Sequence, residues 1–318
     1  MTQPRKVTML RGNKRQKRTQ DDFSGKSDRG SLGFKSKLSQ HDGDIMMVAT
    51  RDVVQIPPTM TIMGAVKTMV KYRFRRLPVS DPGTNRLVGI VTVMDVVNFL
   101  GGGDKAQIIE NKHKGNLLSA INEEISSIME EDVVTLREED SINDAIKMML
   151  QGNVGGFPIV SDDSKVIGIV SERDFVDLVA NVITGKKVAD FMSRDVVSVK
   201  PDTTVEEAAR VMVSNDFRRV PVVHEGVMIG IVTNSDIVNY LGSGEVFDKL
   251  VTGNMHEALG VPIKIVAREP PITVDPDLDL GEAANLMIAR DVSVLPVVVD
   301  GALSGIITER DFLNALVG

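Results

Sequence analysis

The 318-residue chain has no cysteine and no tryptophan, and aromatic residues make up only 4% of it. Without cysteine there is no disulfide, no thiolate metal ligand and no cysteine nucleophile, and the composition suits a reducing, cytoplasmic setting. No apolar run approaches the roughly 20 residues of a membrane span. The first 20 residues are basic but lack the apolar stretch of a secretory signal. The four histidines (His41, His113, His224 and His256) are scattered without metal-ligand spacing. Gly25-Lys26-Ser27 looks like the end of a phosphate-binding loop, yet its leading glycine would fall at Gln20 and no strand precedes it. No nucleophile elbow or acid/base constellation stands out either. The sequence offers no catalytic site.

What it does contain is an uneven charge distribution. Hydrophobic residues at 42% and charged residues at 25% fit a soluble globular protein. The net charge of −7 hides 11 Lys and Arg against 3 Asp within residues 1–40, a basic arm on an acidic body. Residues 1–44 show no sustained hydrophobic period and cannot bury enough apolar surface to offset ordering entropy, so they read as a flexible tail. Such an arm could also contact nucleic acid or an acidic partner, with steep salt dependence.

The body is built on a phrase written four times. Val166–Phe175 reads as a β-branched strand that ends at Ser171 and turns into a helix, with Asp174 three residues on. Gly89-Ile90-Val91-Thr92 leads likewise to Asp95, Gly230-Ile231-Val232-Thr233 to Asp236, and Gly305-Ile306-Ile307-Thr308 to Asp311. Recurrence at intervals of 62 to 79 residues marks internal repeats. Each unit reads β-α-β-β-α. The first strands are Val53–Ile56, Val133–Leu136, Val196–Val199 and Ile272–Val274. The first helices share one apolar stripe: Ile62, Ala65, Val66, Met69 in unit one and its counterparts through Leu280, Ala283, Ala284, Met287 in unit four. That stripe reads as core. Gly101-Gly102-Gly103 reads as a helix terminator and flexible linker. One such unit is too small to stand alone, so the units should pair.

Each Ser/Thr-x-x-Asp junction is a capping box in form, a local structure that needs no ligand. However, all four acids are Asp, and each opens a helix at a strand end, where anions bind readily. A short carboxylate there can accept two hydrogen bonds from a ribose diol. Arginines accompany the junctions: Arg173 and Arg310 directly precede the Asp in units two and four, while Arg75-Arg76 and Arg218-Arg219 precede the Pro-Val strand in units one and three. A guanidinium in that position suits a phosphate.

Four copies of Gly-Ile-Val/Ile-Ser/Thr-x-x-Asp, each after a Pro-Val or Pro-Ile strand and an Ala-x-x-x-Met helix, resemble the cystathionine-β-synthase (CBS) domain over about Met46–Gly318. The resemblance implies an α/β (α+β) fold of tandem CBS motifs paired into two Bateman modules, residues 45–187 and 188–318. These would assemble as a disk within one chain or as a homodimer. It implies non-catalytic, regulatory binding of AMP, ADP, ATP or S-adenosylmethionine in clefts between paired motifs, with no catalytic cofactor. Carried over residue by residue, Asp95, Asp174, Asp236 and Asp311 would hold ribose hydroxyls. Thr92, Ser171, Thr233 and Thr308 would bond phosphate or ribose, and Arg76, Arg173, Arg219 and Arg310 would neutralise phosphate. Thr203, matching a family position across the cleft, completes the favoured site with Thr308, Arg310 and Asp311. Its equivalents are Met60, Asp140 and Leu278, and Asp140 would repel a phosphate. The alternative is a nucleic-acid-binding or architectural protein that uses the basic tail, with the CBS disk as its platform.

Overall fold

The computed structural model describes residues 44–267 and 270–317. Unit one comprises α1 (Ile45–Val48), α2 (Ile62–Tyr72), β1 (Arg76–Ser80), β2 (Leu87–Thr92) and α3 (Val93–Val97), and the connection after it holds α4 (Leu117–Ala120). Unit two has β3 (Leu136–Arg137), α5 (Ile142–Gly152), β4 (Gly156–Val160), β5 (Val166–Ser171) and α6 (Glu172–Val179). Unit three has α7 (Val205–Ser214), β6 (Arg219–His224), β7 (Val227–Thr233) and α8 (Asn234–Ser243), followed by α9 (Met255–Leu259). Unit four has α10 (Leu280–Arg290), β8 (Val294–Val299), β9 (Ala302–Thr308) and α11 (Glu309–Val317). The mixed α and β architecture is the expected one. No described helix is long and apolar enough to cross a membrane.

The first strands are shorter than the sequence pattern suggests. Ile56, Val199 and Val274 each make a single parallel bridge, to Val79, Val222 and Val297. Only unit two keeps a strand, β3, paired parallel to β4. Proline explains the difference: Pro57, Pro201 and Pro276 follow within two residues of those bridges, and a residue without an N–H cannot extend a ladder. After Leu136 no proline intervenes.

The first-helix stripes are core in all four units. Ile62, Ala65, Val66 and Met69 are buried, as are their counterparts on α5, α7 and α10. Yet no unit closes its core alone. One apolar cluster joins units one and three, and a second joins units two and four. Glycine permits the closest approaches. A Cβ on Gly242 would lie 2.6 Å from Val70 Cγ2 on α2, and one on Gly101 would lie 3.3 Å from Glu206 Cγ on α7. Gly101 is therefore a buried contact in a π-helical segment, Asn98–Gly102, and not part of a loose linker. The connections that hold α4 and α9 likewise supply buried Ile109, Leu117, Ile125, Val246 and Ile263 to the first cluster.

Strand edges tie the units along another direction. The lead-in of unit one bridges β5 (Thr50 to Ile169), and the lead-in of unit two bridges β2 (Glu130 to Ile90). Ser193, ahead of unit three, bridges Ile306 in β9, and β7 meets β9 at Val227 and Ala302 to make one four-stranded sheet. The glycine of the repeated phrase serves this crossing, since a Cβ on Gly305 would lie 2.7 Å from the Ser193 carbonyl oxygen.

The tail of residues 1–43 lies outside the described residues, but Asp44 does not belong with it. Only 4% exposed, its Oδ1 accepts a 2.6 Å hydrogen bond from the Ile142 backbone N–H, an otherwise orphaned donor in the first turn of α5. Asp44→Ala is expected to destabilise the protein by about 1–2 kcal/mol, read as a lower denaturation midpoint.

Candidate functional site

In each of the four junctions one carboxylate oxygen, Oδ2, accepts from the N–H and hydroxyl of the Ser or Thr three residues before it. Asp95 Oδ2 accepts from the Thr92 N–H at 2.7 Å and from its hydroxyl at 2.6 Å. Asp174 takes the same two bonds from Ser171, both at 2.8 Å, Asp236 from Thr233 at 2.8 and 2.6 Å, and Asp311 from Thr308 at 2.7 and 2.8 Å. The hydroxyl protons of these four residues are thus directed to the carboxylates, and a ligand would meet hydroxyl oxygens that only accept. Units one, two and three form full capping boxes and unit four shares the carboxylate half; in each, one carboxylate oxygen is occupied and the other is left to be accounted for.

That second oxygen differs between units. Asp95 Oδ1 is bound by Lys105 Nζ at 2.5 Å, and the same ammonium donates to the Ile128 carbonyl. Asp311, 8% exposed, has no hydrogen-bond partner for Oδ1 among the described residues. Burial pushes its carboxyl above the usual carboxylate range, against the pull of the Thr308 donors and Arg219.

Arginines gather where the four units meet. Arg75 holds Glu309 through two bonds of 2.7 and 3.1 Å, and Arg173 reaches the same carboxylate at 3.3 Å. Arg218 holds Glu172 at 2.6 Å, and Arg310 approaches it with Nε at 2.9 Å and Nη2 at 2.8 Å. Arg76 and Arg219 interact with this group but have no carboxylate within ion-pair distance among the described residues. Arg76 Nη1, Arg219 Nε and Arg310 Nη2 are buried with no aligned hydrogen-bond partner among the described residues. Burial, reinforced by Arg75 and Arg218, lowers the Arg76 pKa to about 10. Burial brings Arg219 to about 10 as well, with Glu309 opposing and Arg218 adding to the shift. Both remain charged at neutral pH, under a desolvation penalty that nothing in the group fully offsets.

The sequence makes room for these side chains. Where units one and three have Arg-Arg, unit two has Gly155-Gly156 and unit four has Ser293-Val294. A Cβ on Gly156 would fall 1.5 Å from Arg76 Nη1, and one on Gly155 would fall 2.6 Å from Arg218 Nη1. Any side chain at Gly156 would expel Arg76.

Two cavities open where units three and four meet, the larger also walled by Met69, Val70, Phe74 and Val93 of unit one, and each has part of the charged group at one end. The larger, about 710 Å³, has apolar walls from Ile231 and Val238 on one side and Ile272, Val292 and Val294 on the other; Thr233, Arg75, Arg173 and Glu309 also line it. The smaller, about 310 Å³, lies between Val196, Val197 and Phe217 of unit three and Ile306, Thr308 and Arg310 of unit four, with Arg218, Arg219 and Glu172 at its charged side. Both volumes fall in the range of small-molecule sites. Asp236 and Asp311 sit behind these walls, bonded to the wall residues Thr233 and Thr308.

The structure thus brings Thr308, Arg310 and Arg219 together, with Asp311 directly behind. Thr203 does not line either cavity. Its hydroxyl accepts from the Lys200 N–H at 3.1 Å, and the helix cap is the next residue, Thr204. Asp140 does the same turn-closing work for Arg137 at 2.7 Å, so this position serves the backbone in both units. Arg173 is also committed to the protein: besides Glu309 it donates to the Val292 and Met287 carbonyls at the end of α10. Sequence reasoning missed Lys105, Ser193, Phe217 and the two glutamates. The glutamates did leave a signal, since Ser-Glu-Arg-Asp and Thr-Glu-Arg-Asp stand in units two and four against Thr-Val-Met-Asp and Thr-Asn-Ser-Asp in the other two.

A family model described as the CBS domain matches residues 43–102, 125–181, 188–243 and 264–318. Protein MJ1225 of Methanocaldococcus jannaschii is 41% identical over 273 residues, which cover 85% of this chain and 98% of that protein. Its crystal structure, described as that of a proposed archaeal homologue of g-AMPK, is similar with a TM-score of 0.81 at 40% identity over 85% of this chain and 99% of the other. An uncharacterized 33.4 kDa protein from the ribosomal RNA operon of Thermofilum pendens is 31% identical over 261 residues, 82% of this chain and 87% of its own length. An uncharacterized conserved protein of Pyrococcus horikoshii shares the fold at a TM-score of 0.56 and 22% identity, over 86% of this chain and 99% of that one.

Proposed function

The chain belongs to the CBS-domain family, and from that premise we propose that it is a non-catalytic regulatory protein that binds an adenosine compound between units three and four. AMP, ADP, ATP and S-adenosylmethionine are the candidate ligands, and residues 45–187 and 188–318 act as its two modules. The observation that carries this reading is Arg219, a charged guanidinium with a buried Nε that has no hydrogen-bond partner among the described residues, at the edge of a cavity with mixed polar and apolar walls. A desolvated cation without a counter-ion favours any ligand that brings an anion. Beside it, Phe217 and Ile306 offer a flat apolar wall to a base, and Asp311 keeps one carboxylate oxygen for a sugar diol. The described relation of MJ1225 to g-AMPK supports a regulatory role. Calorimetry and thermal shift with AMP and ATP test the proposal: binding with a raised melting temperature is expected, and the absence of both heat and shift would overturn it.

The junction of unit one is closed by its own chain. Asp95, expected from sequence to hold a ribose, is engaged by Lys105 from the segment just past the glycines. Lys105→Ala is expected to add one nucleotide site per chain to the calorimetric stoichiometry. An unchanged stoichiometry would mean that this junction is a cap and nothing more.

A further inference from the structure

The two glutamates of the charged group sit where a phosphate would be welcomed. Glu172, 2% exposed, opens α6 in unit two, but its carboxylate is held by Arg218 of unit three and Arg310 of unit four. Glu309, 0% exposed, opens α11 in unit four and is held by Arg75 of unit one and Arg173 of unit two. Each therefore takes up arginine donors at the charged end of one cavity: Glu172 in the smaller, Glu309 in the larger. Burial pushes the Glu172 carboxyl up, but Arg218 and Arg310 more than offset it and hold it below the usual carboxylate range, so it is ionised at neutral pH.

We propose that Glu172 is a built-in competitor for phosphate, a carboxylate that occupies the seat on Arg310 and Arg218 which an incoming phosphate must contest, and that this competition sets how strongly the cavity distinguishes charged from uncharged adenosine compounds. The inference rests on the adenosine-binding reading above and deepens it. A carboxylate offers one charge and two oxygens; a phosphate offers up to two charges and three oxygens, so it prevails on the same donors, but only by the difference. Arg219 is the contested seat's open neighbour, with no carboxylate of its own. The displaced carboxylate belongs to unit two, in the first module, whereas the cavity lies in the second. Phosphate arrival in one module is thereby felt by the other, which gives ligand-dependent regulation the difference between two states that it requires.

The test compares adenosine with AMP on the full chain. Glu172→Gln keeps the side-chain shape and removes its charge. It is expected to leave adenosine affinity unchanged and to raise AMP affinity about tenfold. Glu172→Asp, which keeps the charge but withdraws it by one methylene, is expected to raise the AMP-to-adenosine affinity ratio about threefold, and it preserves the test should the Gln variant fail to fold. An unchanged or lowered ratio in the folded variants would overturn the proposal, because a merely positional glutamate would help phosphate binding instead of opposing it. Failure of the wild-type protein to bind either compound would instead strike at the adenosine-binding reading itself.

Discussion

Replacing Arg219 with alanine is expected to weaken AMP binding about 10- to 100-fold and to leave adenosine binding within about twofold. A charge-assisted hydrogen bond contributes about 1.5–3 kcal/mol, and about 1.4 kcal/mol is one decade of affinity. The stability of the ligand-free protein should move the other way. Arg219 is held near pKa 10, below its ordinary value, so the folded state disfavours its charged form at every pH below about 10. Removing the side chain removes that penalty. The variant should therefore melt no lower than the wild type at neutral pH while binding far less nucleotide, and any relief gained should fade as pH rises through about 10. Parallel calorimetry and thermal denaturation separate the two effects. Equal losses for adenosine and AMP would assign Arg219 to packing.

The second large effect is expected for Asp311→Asn, which should weaken adenosine and AMP alike by about tenfold or more. A ribose diol donates two hydrogen bonds to the carboxylate oxygen that Thr308 leaves open, and an amide whose oxygen stays with Thr308 presents a misplaced donor there. The burial of Asp311 raises its pKa, so ionising it costs the folded state stability, a cost that sets in as pH rises through the raised value and is recovered as pH falls back through it. Asparagine removes that cost and keeps an oxygen for the Thr308 N–H, so the melting temperature should change by the equivalent of about 1 kcal/mol or less. Affinity and stability again discriminate. A residue that only caps a helix would lose stability and change no binding constant.

Much of this architecture was legible in the residues. The recurring strand–Ser/Thr–x–x–Asp phrase located all four junctions, and the Ala-x-x-x-Met stripe located four buried helix faces, because local periodicity and capping chemistry are written within a few residues of where they act. What was not legible is long-range. That Lys105 would reach Asp95, or that Glu172 would meet arginines 46 and 138 residues away, depends on how units pack. The local roles of Thr203 and Thr204 were not legible either: the hydroxyl at 203 closes a turn, and the one at 204 caps the helix. Gly101 was read as part of a loose linker, whereas it and Gly242 are points of close contact with helices of another unit. The alternation of Arg-Arg with Gly-Gly and Ser-Val was visible, and its meaning, space for guanidinium groups from another unit, needed the fold.

The most direct measurement is a crystal structure of the protein soaked in millimolar AMP. The account requires density for the nucleotide between units three and four, with phosphate oxygens on Arg219 and Arg310, the ribose diol on Asp311 and the base against Phe217. Ordered solvent alone in both cavities, with Glu172 still gripping Arg310, would contradict it.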